Sequence, residues 1–305
     1  MCYYVSRILR LWAYAQNDKV IWEERKMKMK KLLALFLACF MVFGLTACGG
    51  EKDDASKNET ETTSDWASIK KSGTLKIGIT IYEPMNYKDE DGELTGFDTE
   101  YAEAVCEKLG VEPEFIEINW ETKETELESG NIDCIWNGFT IRDDLKEQIT
   151  FTDPYIKNKQ VVVIQKKNAD KYTDAKSLEG ATVSAEKGSA GEKVVTEEKA
   201  LGDVECVSVT KQTDALTEVK AGTSDAAVLD YTLAFSMVGE GTDYEDLMMV
   251  DGLELAVEEY GIGCRLDSDL AQKINDATAE LVKDGTLDKI AKKYDLAASL
   301  ISNQE

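Results

Sequence analysis

The sequence predicts an α/β protein with parallel-type sheets arranged in two lobes. Short segments rich in Val and Ile alternate with amphipathic segments from residue 64 to residue 294. Such alternation is typical of βαβ units, whose strands lie parallel in a sheet. The alternation runs in two series, and the second begins near Ala181. We therefore expect two lobes within the last 240 or so residues, a length that also suits one large domain.

Capping residues and apolar stripes locate the elements of the first series. Ser64 can cap a short helix with an acidic first turn and a basic last turn, which Gly73 would end. The next helix follows Gly96, carries an apolar stripe and ends at Gly110. We expect helices at 65–71, 96–109 and 123–128, strands at 74–81, 114–118, 132–136 and 160–165, a turn at 89–92 and a capped segment at 143–148.

The second series repeats the alternation and is followed by two helices at the C-terminal end of the sequence. We expect strands at 181–185, 205–209, 226–229 and 259–265, and helices at 190–199, 214–221, 268–283 and 286–294.

The segment 27–47 has the pattern of a secretory signal peptide. Lys28, Lys30 and Lys31 precede an apolar run of fourteen residues at 32–45, and small residues follow it up to Cys48. A membrane-spanning helix needs about 20 apolar residues, so the run is too short to be one. The ending Leu-Thr-Ala-Cys resembles the lipobox of bacterial lipoproteins, which implies that Cys48 is lipidated and becomes the first mature residue. The alternative is an ordinary cleaved signal with an incidental cysteine.

The segments on either side of the signal have simpler interpretations. Residues 1–26 precede a signal that normally starts a chain, so we interpret 1–26 as mis-assigned upstream translation, with the true start at Met27 or Met29. Residues 48–63 are polar and charged, with little apolar content, and we expect a disordered tether there.

Composition excludes several classes of function. From residue 48 onward the chain has 27 Lys/Arg and 56 Asp/Glu, a net charge near −29 that argues against nucleic acid as a partner. The sequence has no histidine, which excludes a Ser-His-Asp triad, a Cys-His dyad and histidine-ligated metal sites. We expect no cofactor. Four cysteines of the mature part lie in apolar or periodic stretches, where we expect buried thiols, although their spacing also permits a disulfide: Cys106, Cys134, Cys206 and Cys264.

Four ordered segments carry a resemblance to a known family. They are Gly-Phe-Asp-Thr-Glu-Tyr-Ala at 96–102, Gly-Asn-Ile-Asp-Cys-Ile at 130–135, Phe-Thr-Asp-Pro-Tyr at 151–155 and Lys-Asp-Gly-Thr-Leu at 283–287. With them the chain resembles the extracellular solute-binding proteins (family 3) of ABC transporters for polar amino acids, from about Gly73 to Tyr294. The resemblance implies a type II periplasmic-binding-protein-like fold, with two lobes joined by two hinge crossovers. Lobe 1 would be 64–160 plus 257–305 and lobe 2 would be 161–256, closing on a ligand in the cleft.

The same resemblance implies candidate ligand-binding residues in lobe 1. Tyr82 and Trp120 match two aromatic positions, so their rings could sandwich an aliphatic or cationic side chain. The alternative is that both rings simply pack into lobe 1. Asn137, Gly138 and Thr140 match the loop that gives polar and backbone hydrogen bonds to the ligand.

Further candidates fall in lobe 2. Ser189 and Ala190 match a loop that opens a helix, where backbone N–H groups suit a carboxylate. Asp230 matches the carboxylate that receives the ligand's α-ammonium group, and the alternative is a solvated cap. Glu186 falls where the family contacts the ligand's side chain, and the alternative is that it points into solvent.

The chain departs from the family at the arginine that binds the α-carboxylate. That arginine would fall at position 145, which is Leu145. Either Arg142 reaches the carboxylate from one helical turn away, or helix N-termini and hydroxyls bind it unaided, or the ligand lacks an α-carboxylate. Losing a bidentate guanidinium is not a neutral change.

The resemblance implies a lipid-anchored substrate-binding component of an ABC importer, held outside the cytoplasm at the cell membrane. It would be a monomer that delivers a polar amino acid, with a cationic one favoured, to a permease dimer and performs no catalysis. The alternatives are a dehydratase-like enzyme on the same fold, with Glu186 and Asp230 as acid and base, and a binder of an amine that is not an α-amino acid.

Overall fold

A computed structural model of the chain describes residues 64–304. The predicted upstream segment, signal peptide, lipidated cysteine and tether lie outside the described residues. Within 64–304, none of the helices is both long enough and apolar enough to cross a membrane.

Helices and strands alternate along the described residues, as the sequence predicts. The helices are α1 Asp65–Ser72, α2 Phe97–Leu109, α3 Lys123–Glu128, α4 Ala190–Thr196, α5 Gln212–Ala221, α6 Tyr231–Met237, α7 Leu270–Lys283 and α8 Thr286–Lys293. The strands are β1 Thr74–Ile79, β2 Tyr87–Lys88, β3 Leu94–Thr95, β4 Glu112–Glu117, β5 Cys134–Thr140, β6 Ile149–Phe151, β7 Ile156–Gln165, β8 Thr182–Glu186, β9 Glu205–Val209, β10 Ala226–Asp230 and β11 Leu247–Arg265.

The long strands lie in one sheet in the order β4-β1-β5-β11-β7-β10-β8-β9, and β6 also pairs with β11. We call β4, β1, β5 and β6 the first half of the sheet, and β10, β8 and β9 the second half. Strands β4, β1 and β5 pair in parallel, as do β10, β8 and β9. Helices α2 and α3 pack on the first half, α7 packs on α2 and β11, and α4, α5 and α6 pack on the second half.

Two long antiparallel strands, β7 and β11, connect the two halves. Strand β11 pairs with β5 near one end and runs beside β7 along the rest, from Tyr260 to Leu247. The ladder shifts register between Met249 and Glu254 and again before Ala256. Two crossovers between two α/β halves are the arrangement expected of a two-lobed type II fold, and the fold class is confirmed. The lobe boundaries at 160 and 257 stay a prediction.

Local capping explains the helix positions that the sequence predicted correctly. Ser64 Oγ accepts a hydrogen bond from Ala67 N at 3.0 Å at the start of α1, and Gly73 ends the helix in the left-handed conformation. Gly96 precedes α2 with φ of +126°, and a Cβ there would lie 2.3 Å from Met85 O, so only glycine fits.

Several elements differ from the expectation, including β5, which extends to Thr140 where a loop was expected after residue 136. Strand β7 begins at Ile156 rather than 160, and β11 begins at Leu247 rather than 259, because both crossovers are extended and the sequence reading treated them as connections. Helix α4 ends at Thr196, and the segment expected at 143–148 is a single 3₁₀ turn. Helix α6 was not predicted, because it follows β10 directly and its first residue has no side-chain cap before it.

The buried apolar side chains form three clusters. The largest lies around β1, α2, α7 and α8 and extends along β7 to α5 and α6. A second lies beneath β8, β10 and the loop at Leu178. The third includes Trp120, Phe139 and Leu145. Cys106, Cys134 and Cys264 are buried, whereas Cys206 is only half-buried, and the four thiols are free within the described residues.

Candidate ligand-binding cleft

One cleft lies at the junction of the two halves, where strands of both halves end. Its empty volume is about 370 Å³. The residues that line it are Thr80, Ile81, Tyr82, Trp120, Asn137, Gly138, Thr140, Glu186, Ser189, Ala190, Gln212, Asp230 and Leu233. The structure therefore brings together nine of the ten ligand-binding candidates predicted from the sequence. Arg142 is the one that is not part of this lining, and ligand contact by any of the ten stays a prediction.

Tyr82 connects the two halves through its hydroxyl group. The hydroxyl is hydrogen-bonded to Tyr260 Oη at 2.7 Å and to Thr232 Oγ1 on α6. Burial and the nearby Asp230 carboxylate raise the pKa of Tyr82 well above its usual value. The ring is thus fixed at the base of the cleft as well as packed into the core.

Trp120 lies in a 3₁₀ turn before α3 and packs edge-to-face on Phe139, with ring centroids 5.4 Å apart. The ammonium Nζ of Lys123 lies 4.9 Å from the Trp120 ring centroid and donates to Trp120 O at 3.2 Å and to Gly188 O at 3.1 Å. Lys123 is only 2% exposed, and burial lowers its pKa. A buried cation therefore lies behind the aromatic wall of the cleft.

The end of β5 is held by its own hydrogen bonds. Asn137 Oδ1 accepts from Thr80 N at 3.1 Å and from Thr80 Oγ1 at 2.6 Å, and Asn137 Nδ2 donates to Thr80 O at 3.0 Å. The Asn137 amide thus joins β5 to the end of β1. Gly138 has φ of +56°, and a Cβ there would lie 2.6 Å from Tyr82 Cε1, so glycine lets the tyrosine ring approach the strand.

Asp98, the aspartate of the segment at 96–102, lies beneath the cleft. Its Oδ2 accepts from Gly138 N at 2.7 Å and from Tyr155 Oη at 3.0 Å. The side chain is fully buried, and burial raises the pKa of Asp98 to about 7. The carboxyl group positions Gly138 and is not part of the cleft lining.

Asp230 ends β10 and is surrounded by side-chain amides. Its Oδ1 accepts from Asn158 Nδ2 at 2.9 Å and from Gln160 Nε2, and its Oδ2 accepts from Gln212 Nε2. Gln212 Oε1 in turn accepts from Asp230 N at 3.0 Å. Burial raises the pKa of Asp230, and the amide donors oppose the rise. The carboxylate is held in place and does not cap α6, contrary to the solvated-cap alternative.

Two further carboxyl groups lie near Asp230. Glu186 ends β8 and is buried, contrary to the solvent-exposed alternative, and burial and the Asp230 charge raise its pKa to about 8. Glu258 lies on β11, where its Oε1 accepts from Thr140 Oγ1 at 3.0 Å. Burial and the Asp230 charge raise the pKa of Glu258 to about 8.

The loop before α4 and the segment after β5 approach each other at the other end of the cleft. Ser189 caps α4, with its Oγ accepting from Glu192 N at 3.1 Å. Arg142 Nη1 lies 3.5 Å from Ser189 O, and Arg142 Nη2 lies 3.3 Å from Asp144 Oδ2. Leu145 is 5% exposed and packs in the third apolar cluster. Leu145, where the resemblance places the family's arginine, thus faces the core.

Four residues of the lining were not predicted from the sequence: Thr80, Ile81, Gln212 and Leu233. Lys123 and Glu258, which lie next to lining residues, were not predicted either. One signal could have indicated part of this set: Asn158 and Gln160 alternate on a strand that is otherwise apolar from Val161 to Ile164. Nothing in the pattern distinguishes Lys123 or Glu258 from the many surface lysines and glutamates.

A polar cleft between two α/β halves that are joined by two crossovers defines the class of two-lobed solute-binding proteins. The chain belongs to the bacterial extracellular solute-binding proteins, family 3, whose sequence profile matches residues 75–297.

Three similar proteins illustrate the family. The L-cystine-binding protein TcyJ of Escherichia coli strain K12 is 30% identical over 231 residues, which are 74% of this chain and 84% of that protein. The arginine-binding extracellular protein ArtP of Bacillus subtilis strain 168 is 29% identical over 87% of this chain and 98% of its own length. The crystal structure of an ancestral amino-acid-binding protein, AncCDT-1, a precursor of cyclohexadienyl dehydratase, is 30% identical, with a TM-score of 0.69 over 76% of this chain and 99% of that one.

Proposed function

We propose that this protein is the substrate-binding component of an ABC importer for a polar amino acid, with a cationic one favoured. The two lobes close over the ligand by bending at the crossovers, and the closed form is delivered to a permease dimer. The protein performs no catalysis.

The carboxyl groups at the base of the cleft carry this proposal. Asp230 and Glu186 line the cleft, Glu258 lies next to Asp230, and the pKa of each is raised because burial disfavours its charged form. A ligand ammonium group would replace the lost hydration at Asp230 and its neighbour Glu258 and stabilise the charged form of this pair. The three amide donors already hold the Asp230 oxygens in place for such a partner.

Two cations lie near the cleft without lining it, and each has a carboxylate partner. Lys123 Nζ lies 3.1 Å from Glu124 Oε1, and Arg142 Nη2 lies 3.3 Å from Asp144 Oδ2. The carboxyl groups of the lining suit the ammonium group of a zwitterionic amino acid. The relatives named for cystine and arginine bind amino acids of this kind.

A second candidate is a binder of an amine that lacks an α-carboxylate. The observation that favours it is Leu145, which packs in the core where the family has its carboxylate-binding arginine. The dehydratase-like alternative has a neighbour in AncCDT-1, whose name refers to a precursor of such an enzyme. Against it, a lining with two carboxylates disfavours an anionic substrate of the prephenate kind.

The position of the protein in the cell is part of the proposal. Cleavage before Cys48 and lipidation of its thiol would hold the mature protein at the outer side of the cell membrane through the polar segment 48–63. We infer that it acts there as a monomer.

Thermal-shift measurements against all standard amino acids, ornithine, cystine and small polyamines test the proposed function. A ligand that binds only the native state stabilises it by RT ln(1 + [L]/Kd), so a micromolar ligand at millimolar concentration adds about 4 kcal/mol. We expect the largest shift with a cationic or zwitterionic polar amino acid. Shifts with polyamines alone would favour the amine binder. No shift with any compound, or turnover of a prephenate-like substrate, would overturn the importer function.

A further inference from the structure

Glu258 and Asp230 form a carboxyl pair that joins the crossover strand to the cleft. Asn158 Nδ2 donates to Asp230 Oδ1 at 2.9 Å and to Glu258 Oε1 at 2.6 Å. Gln160 Nε2 also donates to both carboxyl groups, with its distance to Glu258 Oε1 being 2.9 Å. Because the two carboxyl oxygens share the same two amide donors, they lie side by side.

Glu258 also contacts the first half of the sheet. Its Oε1 accepts from Thr140 Oγ1, and both Thr140 and Asp230 line the cleft. Glu258 itself does not line it. The Glu258 carboxyl group thus lies between Thr140 of β5 and Asp230 of β10. It belongs to β11, one of the two strands that must bend when the lobes move.

Two neighbouring carboxylates, of which Asp230 is buried and Glu258 half-buried, repel each other unless a proton or a cation lies with them. The titratable and charged groups that face the pair are the hydroxyls of Tyr82 and Tyr260, the Glu186 carboxyl group on β8 and, beyond Glu186, Lys123 and Asp214. The amide groups of Asn158, Gln160 and Gln212 complete the surroundings. Among the described residues, no cation forms an ion pair with Asp230 or Glu258.

We propose that Glu258 is a positioning residue that sets the charge of Asp230, by sharing one proton with it that is released when an ammonium group of the ligand enters the cleft. In the ligand-free protein the pair carries one proton and one negative charge. The ligand ammonium keeps its own protons and pairs with both carboxylates, and the shared proton passes to the buffer. This inference rests on the proposed function.

Charge selectivity follows from this exchange. A ligand without a cationic group cannot displace the proton and leaves the pair singly charged. The burial that raises the pKa of both groups is consistent with a retained proton at neutral pH. Because proton release favours binding as pH rises, the Kd for a cationic ligand should fall by up to tenfold per pH unit between pH 6 and 8.

The test is calorimetric titration with L-arginine, or with the amino acid that gives the largest thermal shift, in buffers of different ionisation enthalpy. We expect the wild type to release about one proton on binding at pH 7 and Glu258→Gln to release close to none, with a nearly flat pH profile of Kd. The matched control is Glu259→Gln, because Glu259 is the exposed neighbour on the same strand, and it should behave as the wild type.

A second variant assigns the proton to the pair rather than to Glu186. Glu186→Gln should weaken binding, because Glu186 lines the cleft, but should still release about one proton per ligand bound, and this comparison also decides the question if Glu258→Gln fails to fold. Binding with no proton release in the wild type, equal release in Glu258→Gln, or loss of release in Glu186→Gln would overturn this inference and leave the proposed function standing. If no amino acid binds at all, the proposed function fails and this inference fails with it.

Discussion

Lys123 and Gly188 join the two halves of the protein, with the buried ammonium Nζ of Lys123 lying 3.1 Å from the carbonyl oxygen of Gly188. Two ion pairs lie on the same side of the cleft. Lys187 Nζ is 2.7 Å from Glu121 Oε1, and Lys211 Nζ is 3.1 Å from Glu117 Oε1. These exposed pairs contribute little individually, whereas a buried ammonium bonded to a carbonyl contributes more. The Lys123 contact is therefore the main polar link on this side.

Replacing Lys123 should weaken the closed form. We expect Lys123→Met to raise the ligand Kd by about tenfold, because a hydrogen bond to a charged group contributes about 1.5–3 kcal/mol and the open form does not make it. Calorimetry gives the Kd and small-angle scattering gives the degree of closure. Lys146→Met, which changes an exposed lysine of the first half, is the control, and equal effects of the two variants would contradict the role of Lys123.

Removing the Asp230 carboxylate should cost at least about 2 kcal/mol of ligand binding, the magnitude of a buried charged hydrogen bond. We expect Asp230→Ala to raise the Kd at least 30-fold, whereas Asp203→Ala, an exposed aspartate of the second half, should leave it unchanged. Unchanged affinity in Asp230→Ala would exclude a role for this carboxylate in binding the ligand.

Gly138→Ala should destabilise the protein more than an alanine at an unobstructed glycine. Its Cβ would lie 2.6 Å from Tyr82 Cε1 and 3.1 Å from Tyr260 Cε2, in addition to the strain of a positive φ. Overpacking costs about 1–3 kcal/mol beyond that strain. Gly180→Ala is the control, because Gly180 has φ of +76° with nothing within 4 Å of its Cβ. Urea unfolding of both variants makes the comparison, and equal losses would show that Tyr82 moves aside.

The free energy of unfolding should depend on the protonation of Asp98. Its pKa is raised to about 7 by burial, so between about pH 4 and 7 the folded protein holds a proton that the unfolded chain has lost. This contribution to stability is complete below pH 4 and is lost as pH rises to 7, by up to about 4 kcal/mol.

Asp98→Asn should remove this part of the pH dependence and stabilise the protein at pH 8. Both donors to Asp98 contact the same oxygen, Oδ2, so an asparagine oxygen can accept from Gly138 and Tyr155 as before. Urea unfolding at pH 5, 6, 7 and 8 measures the effect, with the exposed Asp91→Asn as the control. Parallel pH profiles of Asp98→Asn and the wild type would show that Asp98 is ionised throughout.

Cys48→Ser should release the protein from the membrane, because the acyl chains that stably anchor a lipoprotein need this thiol. Fractionation of cells into membrane and soluble parts measures the change. Cys206→Ser, which alters a half-buried thiol of the folded part, should stay with the membranes. Membrane association that persists in Cys48→Ser would contradict lipid anchoring.

The sequence predicted most of the helices and the alternation of strands and helices, because these depend on local patterns. Gly73, Gly96 and Gly110 end or begin helices through backbone conformations that few other residues adopt. The crossovers β7 and β11 were predicted too short, because their pairing is with each other over a long separation in the chain. Apart from the continuous apolar run Val161–Ile164, the residues of these strands show no regular alternation of polar and apolar side chains.

The cleft could be predicted where side chains lie at or just beyond the ends of strands, as Tyr82 and Asp230 do. Lys123 and Glu258 could not, because their contacts are with residues that are distant in the chain. A lysine among several glutamates is expected at the surface, whereas in the structure the loop at Gly188 covers Lys123. Asn137 lines the cleft as predicted, but its side-chain amide is hydrogen-bonded to Thr80.

Strands β7 and β11 pass between the halves together, as a two-stranded antiparallel ribbon. A ribbon of this kind bends across its flat side more easily than it stretches or shears, so the relative motion of the halves is confined to few directions. Glu258 and its partners Asn158 and Gln160 lie on this ribbon. The carboxyl group that we propose to respond to the ligand therefore lies on the ribbon that connects the halves, so a change of its charge would act directly on the element expected to bend.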